Sequence, residues 1–187
     1  MQVVKGQGGA LPSALVRLQE GTMLEQFSTW LEATSLSATL QEVAWAIPVL
    51  QIIHILGIAV VFSSICLVSA HLAGFNRQAN AAELLRSNLR LFWPTILVLL
   101  LSGGLLVVSE PGRDLLNPMF LIKMATLTGG VLFVAVAARI VERSGYDGNA
   151  YKLNRGARTT IAILLVAIFT AIIICGRWIA YFDAGTN

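Results

Sequence analysis

The stretch AIPVLQIIHILGIAVVFSSICLVSAHLA, residues 46–73, holds two histidines and no formal charge. It lies within a run of 34 residues, between Glu42 and Arg77, that contains no Asp, Glu, Lys or Arg. A membrane-spanning helix needs roughly 20 mostly apolar residues, and this run exceeds that. Helix is expected rather than strand because lipid offers backbone amides no partner. Barrel strands would alternate polar and apolar residues. Runs such as Leu97-Val98-Leu99-Leu100-Leu101 and Ile161-Ala162-Ile163-Leu164-Leu165-Val166 do not alternate.

Working outward, three further uncharged runs follow: 19 residues between Arg90 and Glu110, 15 between Lys123 and Arg139, and 18 between Arg158 and Arg177. They predict four spans, at about 46–73, 91–109, 118–138 and 160–181. The third and fourth reach full length only if Lys123 and Arg177 lie inside them. The fold class is therefore all-α, an integral membrane antiparallel four-helix bundle occupying residues 41–182, with an N-terminal amphipathic helix.

Composition agrees. The 187 residues are 56% hydrophobic and 12% charged, with mean hydropathy +0.75. A soluble domain carries about 25% charged residues, so an ordinary cytosolic enzyme is excluded. The net charge is +3 and the pI about 9.2, but the basic residues cluster between apolar runs. That pattern sets membrane topology and gives no support to nucleic-acid binding.

Residues 1–22 are Gly-rich and polar, read as a flexible segment without a cleavable secretion signal. In residues 23–40, Leu24, Phe27, Trp30 and Leu31 recur at helical spacing beside Glu25 and Glu32. This predicts a short amphipathic helix that lies on the membrane or caps the bundle. Residues 183–187 form a tail.

Lys and Arg bias predicts orientation. Arg77, Arg86 and Arg90 follow the first span; Arg139, Arg143, Lys152, Arg155 and Arg158 follow the third. The opposite side offers Lys5, Arg17 and Arg113. Both termini are thus expected outside, periplasmic in a bacterial inner membrane. Trp45 and Trp178 would then mark the outer interface, and Trp93 the inner one.

Seven-residue spacing keeps one face of a left-handed bundle. The seams are Gly57, Ser64 and His71; Thr95, Ser102 and Ser109; Lys123, Gly130 and Ala137; Thr170 and Arg177. Small residues there permit close helix approach. Pro48 and Pro118 suit first turns of helices, and Pro94 is placed likewise. Cys66 and Cys175 fall in opposite halves of the membrane, too distant for a disulfide.

At a rise of about 1.5 Å per residue, His54 lies roughly 13 Å from Trp45, Lys123 roughly 7 Å inside the third span and Arg177 roughly 6 Å from the end of the fourth. Glu110 and Glu42 mark outer span ends, and Gln51 shares a helical face with His54. Together these predict a polar pocket opening outward. Intramembrane ionisable groups commonly mark a functional path. Lys123 and Arg177 also fit a second reading, as residues that snorkel to the interface or pair with Glu110 and Glu42. His54 is too deep to snorkel: it is a ligand or proton carrier, or else a neutral hydrogen-bonded histidine. His54 and His71 are separated by 17 residues, about 25 Å along the axis, and do not share one face. A b-type haem would need His54 with Met124 or with a partner protomer; copper(I) accepts the same pair.

Trp30-Leu31-Glu32-Ala33-Thr34, Pro48 with His54, Ser109-Glu110, Asn117-Pro118-Met119-Phe120 leading to Lys123-Met124, and Gly176-Arg177-Trp178-Ile179 resemble an uncharacterised, domain-of-unknown-function family of bacterial four-span inner-membrane proteins. The resemblance covers about residues 28–182 and implies fold and location without an activity. Where such proteins often carry an Asp-Leu-Arg-type stretch, this chain has Ala70-His71-Leu72-Ala73-Gly74, which favours His54 over His71 as the functional histidine. A more distant likeness links the chain to copper-resistance inner-membrane proteins and to haem-binding protoporphyrinogen-oxidase-like bundles.

The functional expectation is a redox subunit binding haem b, copper or a quinone at a periplasm-facing pocket. His54, Gln51, Lys123, Arg177 and Glu110 would hold the cofactor, with His54 and Met124 as metal ligands. Its alternatives are an assembly subunit of a larger membrane complex, or a small proton-coupled permease. The lipid bilayer is the expected partner, with a homo-oligomer or larger complex besides.

Overall fold

Helix ends are set by capping residues rather than by the charges that bound the apolar runs. The computed structural model describes residues 23–75, 80–147 and 150–182, so the expectations for 1–22 and 183–187 lie outside the described residues. Two short helices come first, α1 (Met23–Glu32) and α2 (Ser35–Glu42). The single amphipathic helix expected over 23–40 is thus broken at Ala33-Thr34. The Thr34 hydroxyl caps α2 by accepting from Ser37 N at 3.3 Å. The apolar face of α1 stays exposed, with Phe27 stacked on Trp30 at a centroid distance of 5.8 Å.

The first span, α3, covers Ala46–Ala73, as the uncharged run predicts. It ends at Gly74, whose φ of 99° is left-handed and whose N–H bonds back to Ala70 and His71 carbonyls. Glycine takes that conformation without Cβ strain.

The second span, α4, runs Ala81–Ser109 and begins ten residues before the expected 91. The Asn80 side chain accepts from Ala82 N at 3.0 Å and Glu83 N at 3.3 Å, which fixes the start. Arg86, Ser87 and Arg90 then occupy exposed positions in its early turns. The helix ladder continues past the hydrocarbon edge, because charged residues outside the membrane do not break it. Pro94 therefore lies inside α4 and not in a first turn.

A one-turn helix, α5 (Pro111–Leu115), leads to α6 (Pro118–Ser144). Asn117 caps α6 through Met119 N at 2.9 Å, with Pro118 at the first position. The helix extends six residues beyond the expected 138, again through exposed charged turns. A two-residue antiparallel ladder follows, β1 (Tyr146–Asp147) against β2 (Ala150–Tyr151), with Tyr146 opposite Tyr151. The last span, α7, covers Arg155–Phe182.

Four of these helices are long and apolar enough to cross a membrane. α3 is the most enclosed and α6 the least. α3 packs on α4 and on α7, and α6 packs on α7. The seam residues Gly57, Ser64 and His71 are buried, as are Ser102, Ser109, Gly130 and Ala137. At Gly57 an added Cβ would stand 2.8 Å from Leu99 Cδ2. The absent side chain is what lets α3 and α4 approach.

The core joins Val61, Ile65 and Leu72 of α3 to Leu85 and Phe92 of α4, Val134 and Val141 of α6, and Leu165 and Phe169 of α7. Phe92 and Phe169 meet edge to face at 6.0 Å. Lipid is as apolar as leucine, so these contacts stabilise through packing, not through escape from water. The remaining large apolar side chains, among them Ile52, Ile55, Leu67, Leu97, Leu101 and Leu132, face outward. A cavity of about 30 Å³ between Ser64, Val68, Phe92, Ala137 and Leu165 is far smaller than the roughly 300–1,000 Å³ of a ligand pocket.

Candidate functional site

The antiparallel arrangement brings one end of all four spans to the same level. His54 is eight residues from the start of α3, Ser102 seven from the end of α4, Lys123 five from the start of α6 and Gly176 six from the end of α7. At about 1.5 Å per residue, all four lie roughly 7–12 Å from their helix ends.

His54 Nδ1 stands 2.9 Å from Ser102 Oγ. The hydroxyl has one hydrogen, and Ser102 Oγ donates to the Val98 carbonyl at 2.8 Å. This is the usual i−4 bond of a mid-helix serine. When that hydrogen goes to Val98, Ser102 accepts from the ring and Nδ1 carries the proton. In the neutral ring Nε2 is then left with the lone pair. Gly103 lies against the ring at Cε1: a Cβ there would be 3.0 Å from Cε1 and 3.5 Å from Nδ1.

Lys123 is half-buried and lies along α7. A Cβ on Gly176 would stand 3.4 Å from its Nζ and 3.5 Å from its Cε. Asp114 of α5 and Cys175 of α7 lie within electrostatic reach of the ammonium, and so does the His54 ring. The structure thus places His54 and Lys123 in one neighbourhood, as the sequence leads one to expect.

The other expected members are placed differently. Gln51 and Arg177 are exposed, and Met124 is 36% exposed. Glu110 forms an exposed 2.7 Å ion pair with Arg113, a pairing not anticipated. Glu110 and Arg113 line a groove of about 470 Å³ with Glu32, Gln41, Ile47 and Ser109. Gln41 Nε2 donates to Ser109 O at 2.7 Å, and Gly112 N donates to Glu32 Oε1 at 3.3 Å. Ile47 is seven residues before His54, and Ser109 seven after Ser102. The groove therefore sits two turns, about 10 Å, beyond the imidazole on the same seam.

Sequence reasoning put Ser102 on a packing seam and missed its bond to His54. It also gave Gly176 no role beyond the resemblance. The heptad register of Ser102 was the available signal. Cys66 and Cys175 are both free. Among the described residues, no group of three or more His, Cys, Asp or Glu lies together.

Fold and site together define a multi-pass membrane protein, an all-α four-helix bundle with an imidazole and an ammonium in one end of its spans. No family model, no curated protein and no solved structure matches this chain.

Proposed function

We propose that this chain is a cofactor-binding redox subunit of the bacterial inner membrane, with both termini periplasmic, and that His54 and Lys123 receive a quinone-type headgroup. The proposal includes membership of the uncharacterised four-span family that the sequence resembles. One observation carries the site: His54 Nδ1 is held 2.9 Å from Ser102 Oγ with the Lys123 ammonium in electrostatic reach, and with Nδ1–H given to Ser102 the free acceptor is Nε2.

A quinol hydroxyl donates to Nε2, and the Lys123 ammonium donates to a quinone or phenolate oxygen. Neither contact needs a second protein ligand. A ligand soluble in lipid reaches the site from the bilayer, past the exposed apolar faces of the spans. Fixing one ring nitrogen through a hydrogen bond also orients an imidazole for metal ligation. Haem b or copper(I) on the same Nε2 is therefore the second reading. With Met124 at the surface, a second ligand would come from a partner chain.

The purified protein separates these readings. Quinone extracted from it, and binding of added menadione weakened about tenfold in His54→Gln or Lys123→Met, is the expected result; tenfold corresponds to about 1.4 kcal/mol, one charge-assisted hydrogen bond. A Soret band or bound copper lost in His54→Gln favours the second reading. A colourless, metal-free protein indifferent to menadione and to added haem leaves a structural subunit.

A further inference from the structure

The opposite end of the bundle holds a second polar cluster that owes nothing to the His54 site. His71, near the end of α3, is 5% exposed. Its ring meets Tyr151 edge-on at 5.3 Å, and Tyr151 meets Tyr146 at 5.7 Å. Tyr151 is 4% exposed and reaches the Ala81 carbonyl at 3.4 Å through its hydroxyl. Arg158, in the first turn of α7, lies within electrostatic reach of both His71 and Tyr151. Arg86 of α4 and Glu142 of α6 lie within reach of Tyr146.

The hydrogen-bond accounting fails here. Among the described residues, Ser69 Oγ, His71 Nδ1, Tyr146 Oη and Arg158 Nε are buried and have no hydrogen-bond partner, the last three in this cluster. Buried polar atoms in native proteins are almost always satisfied, and three on neighbouring groups from three elements need one explanation. Arg158 Nε is a donor only. Burial raises the Tyr146 hydroxyl above the ordinary tyrosine range, and burial raises that of Tyr151 to about 12, so both stay protonated donors at neutral pH. Two donors and an imidazole that donates when its Nδ1 is protonated, beside the guanidinium groups of Arg86 and Arg158, suit an oxyanion.

We propose that His71, Tyr146 and Arg158 form a binding site for a phosphate group at this end of the bundle. Position supports it. His71 is two residues from the end of α3, and Arg158 is three residues into α7, so the cluster lies at the level of lipid headgroups. Arg158 is only partly buried, so part of its side chain is open to an anion. The phosphate comes from an anionic phospholipid or from free phosphate, and the recognition chemistry is the same. Basic pockets between spanning helices bind headgroups by this means.

The full chain is reconstituted in phosphatidylcholine nanodiscs, with or without phosphatidylglycerol, and in phosphatidylcholine with millimolar inorganic phosphate. Thermal unfolding midpoints are read, and retained lipid is counted by native mass spectrometry. The expected result is a higher midpoint and retained phosphatidylglycerol. Tyr146→Phe, which removes one oxygen, and Arg158→Gln should each weaken the response about tenfold. Arg155→Gln, on an exposed neighbouring residue, should keep it. A response to inorganic phosphate alone, lost in the same two variants, assigns free phosphate as the source. The proposal is overturned if neither anion shifts the midpoint. Equal loss in Arg155→Gln, or an unchanged response in Tyr146→Phe, overturns it as well.

Discussion

Two adjacent glycines on α4 give opposite outcomes for the same substitution, and the difference isolates the His54 geometry. In a helix interior, Gly→Ala gains about 1 kcal/mol from reduced backbone entropy in the unfolded chain. At Gly104 a Cβ meets nothing within 4 Å, so Gly104→Ala should realise that gain. At Gly103 the Cβ would come to 3.0 Å from His54 Cε1, whereas carbon atoms prefer about 3.5–4.0 Å. The ring must give by a few tenths of an ångström. Its 2.9 Å bond to Ser102 then stretches toward the roughly 3.2 Å limit of a good hydrogen bond. Interhelical bonds in membranes contribute on average about 0.6 and at most about 1.7 kcal/mol, so the loss offsets much or all of the gain. Gly103→Ala should fall about 0.6–1.7 kcal/mol below Gly104→Ala, roughly a 3- to 20-fold difference in the folding equilibrium. Unfolding by SDS in mixed micelles measures the difference, and ¹⁵N NMR of the His54 ring reports the Nδ1–H tautomer. If both variants gain equally and the ring resonances stay put, the reasoning about the site is wrong.

Ser102→Ala should cost about 1 kcal/mol by leaving the Nδ1–H of His54 unpaired, and the cost should vanish in a His54→Leu background; a double-mutant cycle in the same micelles reads it. The Tyr151 hydroxyl, raised by burial from 10.0 to about 12, favours its neutral form in the folded state. Its contribution is therefore complete below pH 10 and is lost as pH rises toward 12; alkaline unfolding curves should show this decline, and Tyr151→Phe should abolish it. Gly74→Ala should destabilise by about 1–2 kcal/mol, because a Cβ at φ 99° is strained; hydrogen exchange at the end of α3 should rise, while the His54 ring resonances should not change.

What the sequence made legible follows from periodicity. Charge-free runs located all four spans, and seven-residue spacing picked out buried Gly57, Ser64, His71, Ser102, Ser109, Gly130 and Ala137. Boundaries were read less well, since a charge marks the edge of hydrocarbon and a cap marks the end of a helix. α4 accordingly starts at its Asn80 cap and carries Arg86 and Arg90 outside the membrane. Depth was legible and rotation was not: Gln51 shares the general face of His54, yet its side chain is exposed. The His71–Tyr151 contact was invisible because 80 residues separate the two, and a short hairpin has no hydrophobic period to betray where it docks.

The two sequence readings of Lys123 differ in where its stem should run. A snorkelling lysine extends toward the nearer interface with its methylenes in lipid and its ammonium in the headgroups. Here the stem lies along α7 at Gly176, where a Cβ would meet the ammonium and its neighbouring carbon at ordinary van der Waals distance. Asp114, on the short α5, lies within reach of the charge from outside the spans, which lowers the cost of keeping a cation inside. A purely structural ion pair would need only that carboxylate. It would not need an imidazole from α3 in the same electrostatic neighbourhood, held at Nδ1 by Ser102. The conjunction of these two features, more than the burial of either residue, is what favours a ligand between them.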